Sequence, residues 1–293
     1  MRRIKLSAFM IALLLVITAC ASNQNKVKVN ERQIVAVSVE VFEILEALEL
    51  DINEVVVGIS NDNSSTLLEE YQNLKMVGAV NDLDINIIEA LKPTLILAPN
   101  SSESELSTIF VDKKIDSAFL NFNSLTGLMQ SIEELGVLLE QESQAEKIVM
   151  EFKDFIKNYR ESVQGKEMPT VLILVGFEET YKFASENSYI GNLVKLAGGI
   201  NVFGDEYSPE FLELTFEEIM QINPTIILRV STSQNEEISS MFEEEFLTNT
   251  TWGVLKAVEN NQVYDLDYEI FGLKANLKYQ NAINTLNGIF YLE

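Results

Sequence analysis

The chain has no histidine and one cysteine, Cys20, in 293 residues. Imidazole is therefore missing as general base, proton shuttle and metal ligand. No Gly-x-Ser-x-Gly nucleophile elbow and no His-Glu-x-x-His pair occurs either. The 45 Asp and Glu residues could furnish a carboxylate pair for glycoside cleavage almost anywhere, so their number points to no site. Arg229 is more specific. It stands at the end of the apolar run Thr225–Leu228, where it can neutralise a ligand's propionate, carboxylate or catecholate, or pair with a carboxylate of the protein itself. Tyr181, Tyr189 and Tyr268 add phenols and Met76 a soft thioether, each equally suited to packing or to a site's rim. These groups suit recognition of a ligand, and the chain is read as a non-enzyme with no catalytic residue.

The amino terminus says where that recognition takes place. Arg2, Arg3 and Lys5 precede the apolar run Ala8–Thr18, and Ala19-Cys20 follows. This is the layout of a secretory signal ending at a small-residue cleavage site, and with Cys20 it resembles a bacterial lipobox. Residues 1–19 read as the signal, Cys20 as the lipidated residue and 20–32 as a flexible tether. The protein is then extracytoplasmic and lipid-anchored to a cell membrane, as in a Gram-positive bacterium. The leader's three basic residues taken from 21 leave 18, against 45 acidic ones. Such a surface repels nucleic acid and anionic headgroups. With its one thiol on lipid, the fold rests on its apolar core.

Strands and helices must position these groups. Gln33–Ser38, Glu54–Ile59 and Thr94–Ala98 read as strands, Val41–Leu50 and Ile85–Leu91 as helices. Later, Thr170–Val175 and Thr225–Arg229 read as strands, and Ile190–Ala197 and Phe216–Ile222 as helices, with Gly198-Gly199 as a left-handed cap. Continuous apolar strands between helices indicate parallel α/β sheets covered on both faces. The segments Leu91-Lys92-Pro93-Thr94-Leu95-Ile96-Leu97 and Ile222-Asn223-Pro224-Thr225-Ile226-Ile227-Leu228 are near copies, equivalent pieces of two lobes. Between them, 143–166 carries Ile148, Phe152, Phe155, Ile156 and Tyr159 at helical spacing with no glycine or proline before Gly165. The predicted fold is α/β: two Rossmann-like lobes (33–142 and 167–293) joined by one long rigid helix (143–166), with a ligand cleft between them. The loops after the strands are rich in Asn, Ser, Thr and Tyr, as surface loops generally are.

Several stretches are more specific: Ser188–Gly199 (SYIGNLVKLAGG), Asn223–Arg229 (NPTIILR), Lys256–Leu266 (KAVENNQVYDL) and Phe271–Asn276 (FGLKAN). Taken together and in order, they make the chain resemble the helical-backbone solute-binding proteins of ABC importers for iron complexes, cobalamin and haem, and within these the haem branch. The resemblance implies a monomeric binding protein that hands a small ligand to a permease and its ATPase. It implies no intrinsic cofactor; the cargo is haem or a ferric siderophore. An exported binding or sensor module for a non-iron solute, or an exported hydrolase, is the alternative.

The haem branch holds iron between a methionine of the first lobe and a histidine of the second. Asn81 and Thr232 occupy those places here. Both are hard oxygen groups and poor ligands of ferric haem, so the resemblance carries fold and role but no metal ligand from the protein. Arg229 or Lys274 would face a propionate, and Tyr181, Tyr189, Tyr268 or Met76 would be the substitute groups. Family members dock on the permease through one acid per lobe. The matching positions are Glu217 and, as a departure, Asn86, with Asp84 and Glu89 on the same short helix.

Overall fold

The computed structural model describes residues 32–61, 71, 73–177, 180–204, 209–233 and 236–291. The readings on the leader, Cys20 and the tether up to residue 31 fall outside these.

The first lobe runs β1 (Ile34–Ala36), α1 (Val39–Ala47), β2 (Val56–Ile59), β3 (Lys75–Met76), a hairpin of β4 (Gly78–Ala79) and β5 (Asp82–Leu83), α2 (Ile85–Leu91), β6 (Leu95–Pro99), α3 (Glu103–Lys113) and β7 (Ser117–Leu120). Its sheet has the order β3-β2-β1-β6-β7, parallel throughout. Two helices follow, α4 (Leu125–Leu138) and α5 (Glu142–Ser162). The second lobe runs β8 (Thr170–Phe177), β9 (Thr180–Ala184), α6 (Tyr189–Leu196), β10 (Ile200–Asn201), β11 (Phe211–Leu212), α7 (Phe216–Ile222), β12 (Ile226–Ser231), α8 (Glu236–Thr248), β13 (Val263–Leu266) and α9 (Tyr279–Tyr291). Its sheet order is β11-β9-β8-β12-β13, with β10 beside β8. Here β10, β12 and β13 run parallel to β8, while β9 and β11 add an antiparallel edge.

Side chains alternate across each sheet because a strand repeats every two residues. In β1, Ile34 and Ala36 enter one buried cluster and Val35 and Val37 another. In β8, Val171, Ile173 and Val175 face one way and Leu172 and Leu174 the other. The outer faces have separate clusters, one per lobe. The inner faces share one: it runs from Ile34 through Ile132 and Leu135 of α4 and Val149 and Ile156 of α5 to Val171, Leu193 and Ile283.

That shared core passes through the α4–α5 pair. A Cβ on Gly136 would stand 2.5 Å from Ala145 Cβ, so glycine lets the two helices touch. Near its start α5 meets the first lobe, where Gln144 Nε2 donates to Ala47 O at 3.1 Å. Near its end it meets the second: Tyr159 donates to Ala197 O at 2.9 Å, and Phe152 and Phe155 pack edge-on against Tyr279. Twenty-one residues of helix span about 32 Å, enough to brace both sheets.

The near-copy segments are equivalent in space. Helices α2 and α7 each have seven residues and end on a left-handed residue, Lys92 (φ 52°) and Asn223 (φ 46°). Proline follows both, which keeps that residue out of the right-handed helical region, and a central strand begins two residues later. Gly198 (φ 85°) turns the chain after α6 as expected.

Two expectations are corrected. The joining helix ends at Ser162 instead of Lys166: Val163 caps it and packs against the core, and beyond it residues 164–166 are exposed, with Gly165 in the left-handed region (φ 82°). The strand expected from Glu54 begins at Val56; Asp51 caps a single helical turn, Ile52–Val55, before it.

Candidate functional site

In open α/β sheets ligands sit beyond the carboxyl ends of the strands. In the first lobe β1 ends at Ala36, and Ser38 caps α1 by accepting the Val41 amide at 3.4 Å. The first turn of α1 therefore stands at the strand ends, and it carries Glu40. Across the lobes, Glu40 Oε2 lies 3.5 Å from Lys274 Nζ. The Tyr268 phenol, 36% exposed, is raised above its ordinary range, first by burial and then by the charges of Glu40 and Glu269. One turn further along α1 is Glu43, whose carboxyl burial pushes up and the charge of Lys278 draws back down. Lys274 thus presents its ammonium to a carboxylate of the opposite lobe, while Lys278 pairs with Glu269 of its own lobe at 3.4 Å.

Three hydrogen bonds secure the same joint. Ala275 N donates to Phe122 O at 2.7 Å. Asn123 Nδ2 donates to Glu210 Oε1 at 2.8 Å, and the Leu125 amide donates to Asn192 Oδ1 at 3.1 Å. Burial raises the Glu210 carboxyl above its ordinary range. At the end of β6, Asn100 Oδ1 is buried without a hydrogen-bond partner among the described residues. Asn123, Asn192 and Glu210 were not singled out from sequence; their partners lie 67 to 87 residues away, and no local pattern marks them.

Asn81 lies exposed at the tip of the β4–β5 hairpin. The hairpin is tight: Gly78 has φ 97°, and a Cβ there would come 2.3 Å from Asp82 O. Met76, 45% exposed, is on the edge strand β3. Thr232 follows β12, and its hydroxyl donates to Gly176 O at 2.9 Å.

Three candidates have other occupations. Arg229 shares the face of β12 opposite to Leu228 and Val230, as strand alternation dictates. Its guanidinium grips both carboxylate oxygens of Asp265, at 2.7 and 2.5 Å, and lies over the rings of Phe242 and Phe246. Of the two readings open for it, the structure has the pairing with a protein carboxylate. Tyr181 is on the same outer face, packed among Phe183, Phe242 and Trp252, and donates to Glu245 Oε1 at 3.2 Å. Burial and the neighbouring Glu245 push its phenol up to about 12. Tyr189 is fully buried at the start of α6 and donates to Ile270 O at 3.3 Å.

Tyr189 belongs to the motif Ser188–Asn192, whose job here is architectural. Ser188 caps α6 by accepting the Gly191 amide at 3.1 Å. A Cβ on Gly191 would fall 1.9 Å from Ser185 O, so only glycine allows that approach. Asn192 then holds the first amide of α4.

Glu217 is exposed in the first turn of α7, on the wall of a concavity of about 500 Å³ shared with Met220, Gln221, Thr251 and Val254. Asn86 has the equivalent place in α2 and is exposed. The acids near Asn86 are engaged: Asp84 caps α2 through the amides of Asn86 and Ile87, and Glu89 pairs with Lys113 at 2.8 Å. Among the described residues no group of three or more Asp, Glu or Cys could hold a metal ion, and no helix is long and apolar enough to cross a membrane.

A family model described as periplasmic binding protein matches residues 34–269. The high-affinity haem uptake system protein IsdE of Staphylococcus aureus strain MRSA252 is 32% identical over 298 aligned residues, covering 99% of each chain. The solved structure of S. aureus IsdE complexed with haem superposes with TM-score 0.79 at 32% identity, covering 89% of this chain and 99% of that one. An ABC transporter substrate-binding protein from Listeria monocytogenes EGD-e superposes with TM-score 0.80 at 35% identity, with the same coverage.

Proposed function

Because this chain belongs to the periplasmic binding protein family, we propose that it captures haem outside the cell and delivers it to the permease of an ABC importer. It is a binding protein and not an enzyme. The observation that carries the haem reading is similarity to IsdE along the whole chain. Haem is cargo here, and its ring would lie between the lobes, bounded by the Glu40–Lys274 seam and the loops bearing Asn81 and Thr232.

The family's methionine and histidine ligands have no counterpart. Asn81 and Thr232 offer only hard oxygens, and the Thr232 hydroxyl proton is already given to Gly176 O. Iron then has at most one weak oxygen ligand from the protein, and the complex is high-spin. Lys274 faces a propionate. Cys20 carries the lipid that keeps the protein at the membrane, and Glu217 meets an arginine of the permease, with Asn86 at the matching place on the first lobe.

The test is incubation of the purified mature protein with haem, ferric siderophores and cobalamin, followed by absorbance spectra and native mass. A high-spin haem complex with a charge-transfer band is expected. Retention of a ferric siderophore without any haem complex would overturn the haem reading, and a low-spin six-coordinate spectrum would overturn the coordination.

A further inference from the structure

Glu40 and Lys274 come from opposite lobes, 234 positions apart, and meet where α1 begins at the carboxyl end of β1. We propose that Glu40 is a built-in competitor for the acid group of the ligand: it occupies Lys274 in the empty protein, and a ligand carboxylate takes the ammonium over. Lys274 then favours cargo bearing a free acid over neutral forms of the same molecule, and Glu40, by competing for the ammonium, sets how strong that preference is. The inference rests on the haem reading and names a specificity-determining residue, Glu40, that the reading leaves out.

Four observations carry it. The contact is long, 3.5 Å, and both side chains are part-exposed, at 34% for Lys274 and 20% for Glu40. Such a pair is weak, roughly a factor of two to five in equilibrium terms, so an incoming carboxylate can replace it. Lysine suits the exchange, since its ammonium is a point charge with three donors on a flexible stem. Arg229 cannot serve, being held by Asp265 and two aromatic rings. Lastly, Lys274 has a fixed base: its neighbour Ala275 is tied to Phe122 of the other lobe by a 2.7 Å backbone bond. The ammonium can change partner while its backbone stays at the joint. The next lysine, Lys278, is engaged within its own lobe, 3.4 Å from Glu269.

The experiment is absorbance titration of the mature protein with ferric protoporphyrin IX and with its dimethyl ester, which lacks the acid groups. Wild type is expected to prefer the diacid. Glu40→Gln removes both the competitor and a like charge, so it should bind the diacid roughly two- to fivefold tighter and leave the ester unchanged. Lys274→Met should erase the preference and Lys274→Arg keep it. Thermal midpoints near wild type would show that the variants fold, as partly exposed sites allow. An unchanged diacid affinity in Glu40→Gln, or an equal loss for both porphyrins in Lys274→Met, overturns the inference and leaves the haem reading standing. Failure of wild type to bind either porphyrin overturns both.

Discussion

Thr94 and Thr225 make the same hydrogen bond in the two lobes: each hydroxyl accepts, at 3.0 Å, the amide of a residue at the start of its lobe's first strand, Gln33 and Thr170. Each threonine amide also donates back to that residue's carbonyl, at 2.9 and 3.0 Å. The threonine after each proline thus fixes the register of the two central strands at their solvent ends. Thr225→Val keeps the shape and removes the acceptor. It should cost about 1 kcal/mol in urea unfolding with ligand affinity unchanged, and Thr94→Val should do the same in the first lobe.

Gly191→Ala should be far more damaging. The added methyl would meet the Ser185 carbonyl at 1.9 Å, against backbone that cannot swing aside. The expected loss is about 3 kcal/mol, read as a lowered midpoint in the same unfolding assay. Weakened capture of ligand should accompany it, because Asn192 next door anchors α4. A wild-type midpoint would show that the Ser185 turn yields.

Alkaline unfolding provides a third measurement. The phenols of Tyr159 and Tyr181 are both raised from 10.0 to about 12, first by burial. The folded protein keeps these protons where the unfolded chain releases them, so their contribution is complete below pH 10 and is lost as pH rises towards 12. Stability should therefore fall across that window. In Tyr181→Phe the fall should be shallower, since one of the groups no longer titrates; an unaltered slope would contradict the assignment.

Glu217→Ala should leave ligand affinity unchanged and reduce uptake by whole cells, because the residue stands on α7 away from the Glu40–Lys274 seam. The check is paired: a binding titration on pure protein and an uptake assay on cells carrying the variant. Loss of affinity with normal uptake would reverse the roles given to the two sites.

Much of the fold was legible where capping and proline bracket an element. Helices α2 and α7 were bounded to the residue, with Asp84 and Thr215 before them and Pro93 and Pro224 just beyond. The end of α5 was not, because absence of a breaker does not supply a buried face, and the stripe stops at the capping residue Val163. The outward direction of Arg229 follows from alternation with Leu228 and Val230, a signal present in the sequence. The Glu40–Lys274 pair had no such signal. Its partners are brought together by the joint between lobes, which neither local sequence records.

The apolar core that passes from β1 through α4 and α5 to β8 makes the two sheets one melting unit. Neither lobe can be excised with its inner face covered, and calorimetry on the mature protein should give a single transition whose enthalpy matches the whole chain. Stabilisation gained in one lobe is shared by the other, so a ligand that touches both needs only modest contact with each to protect the entire molecule from unfolding.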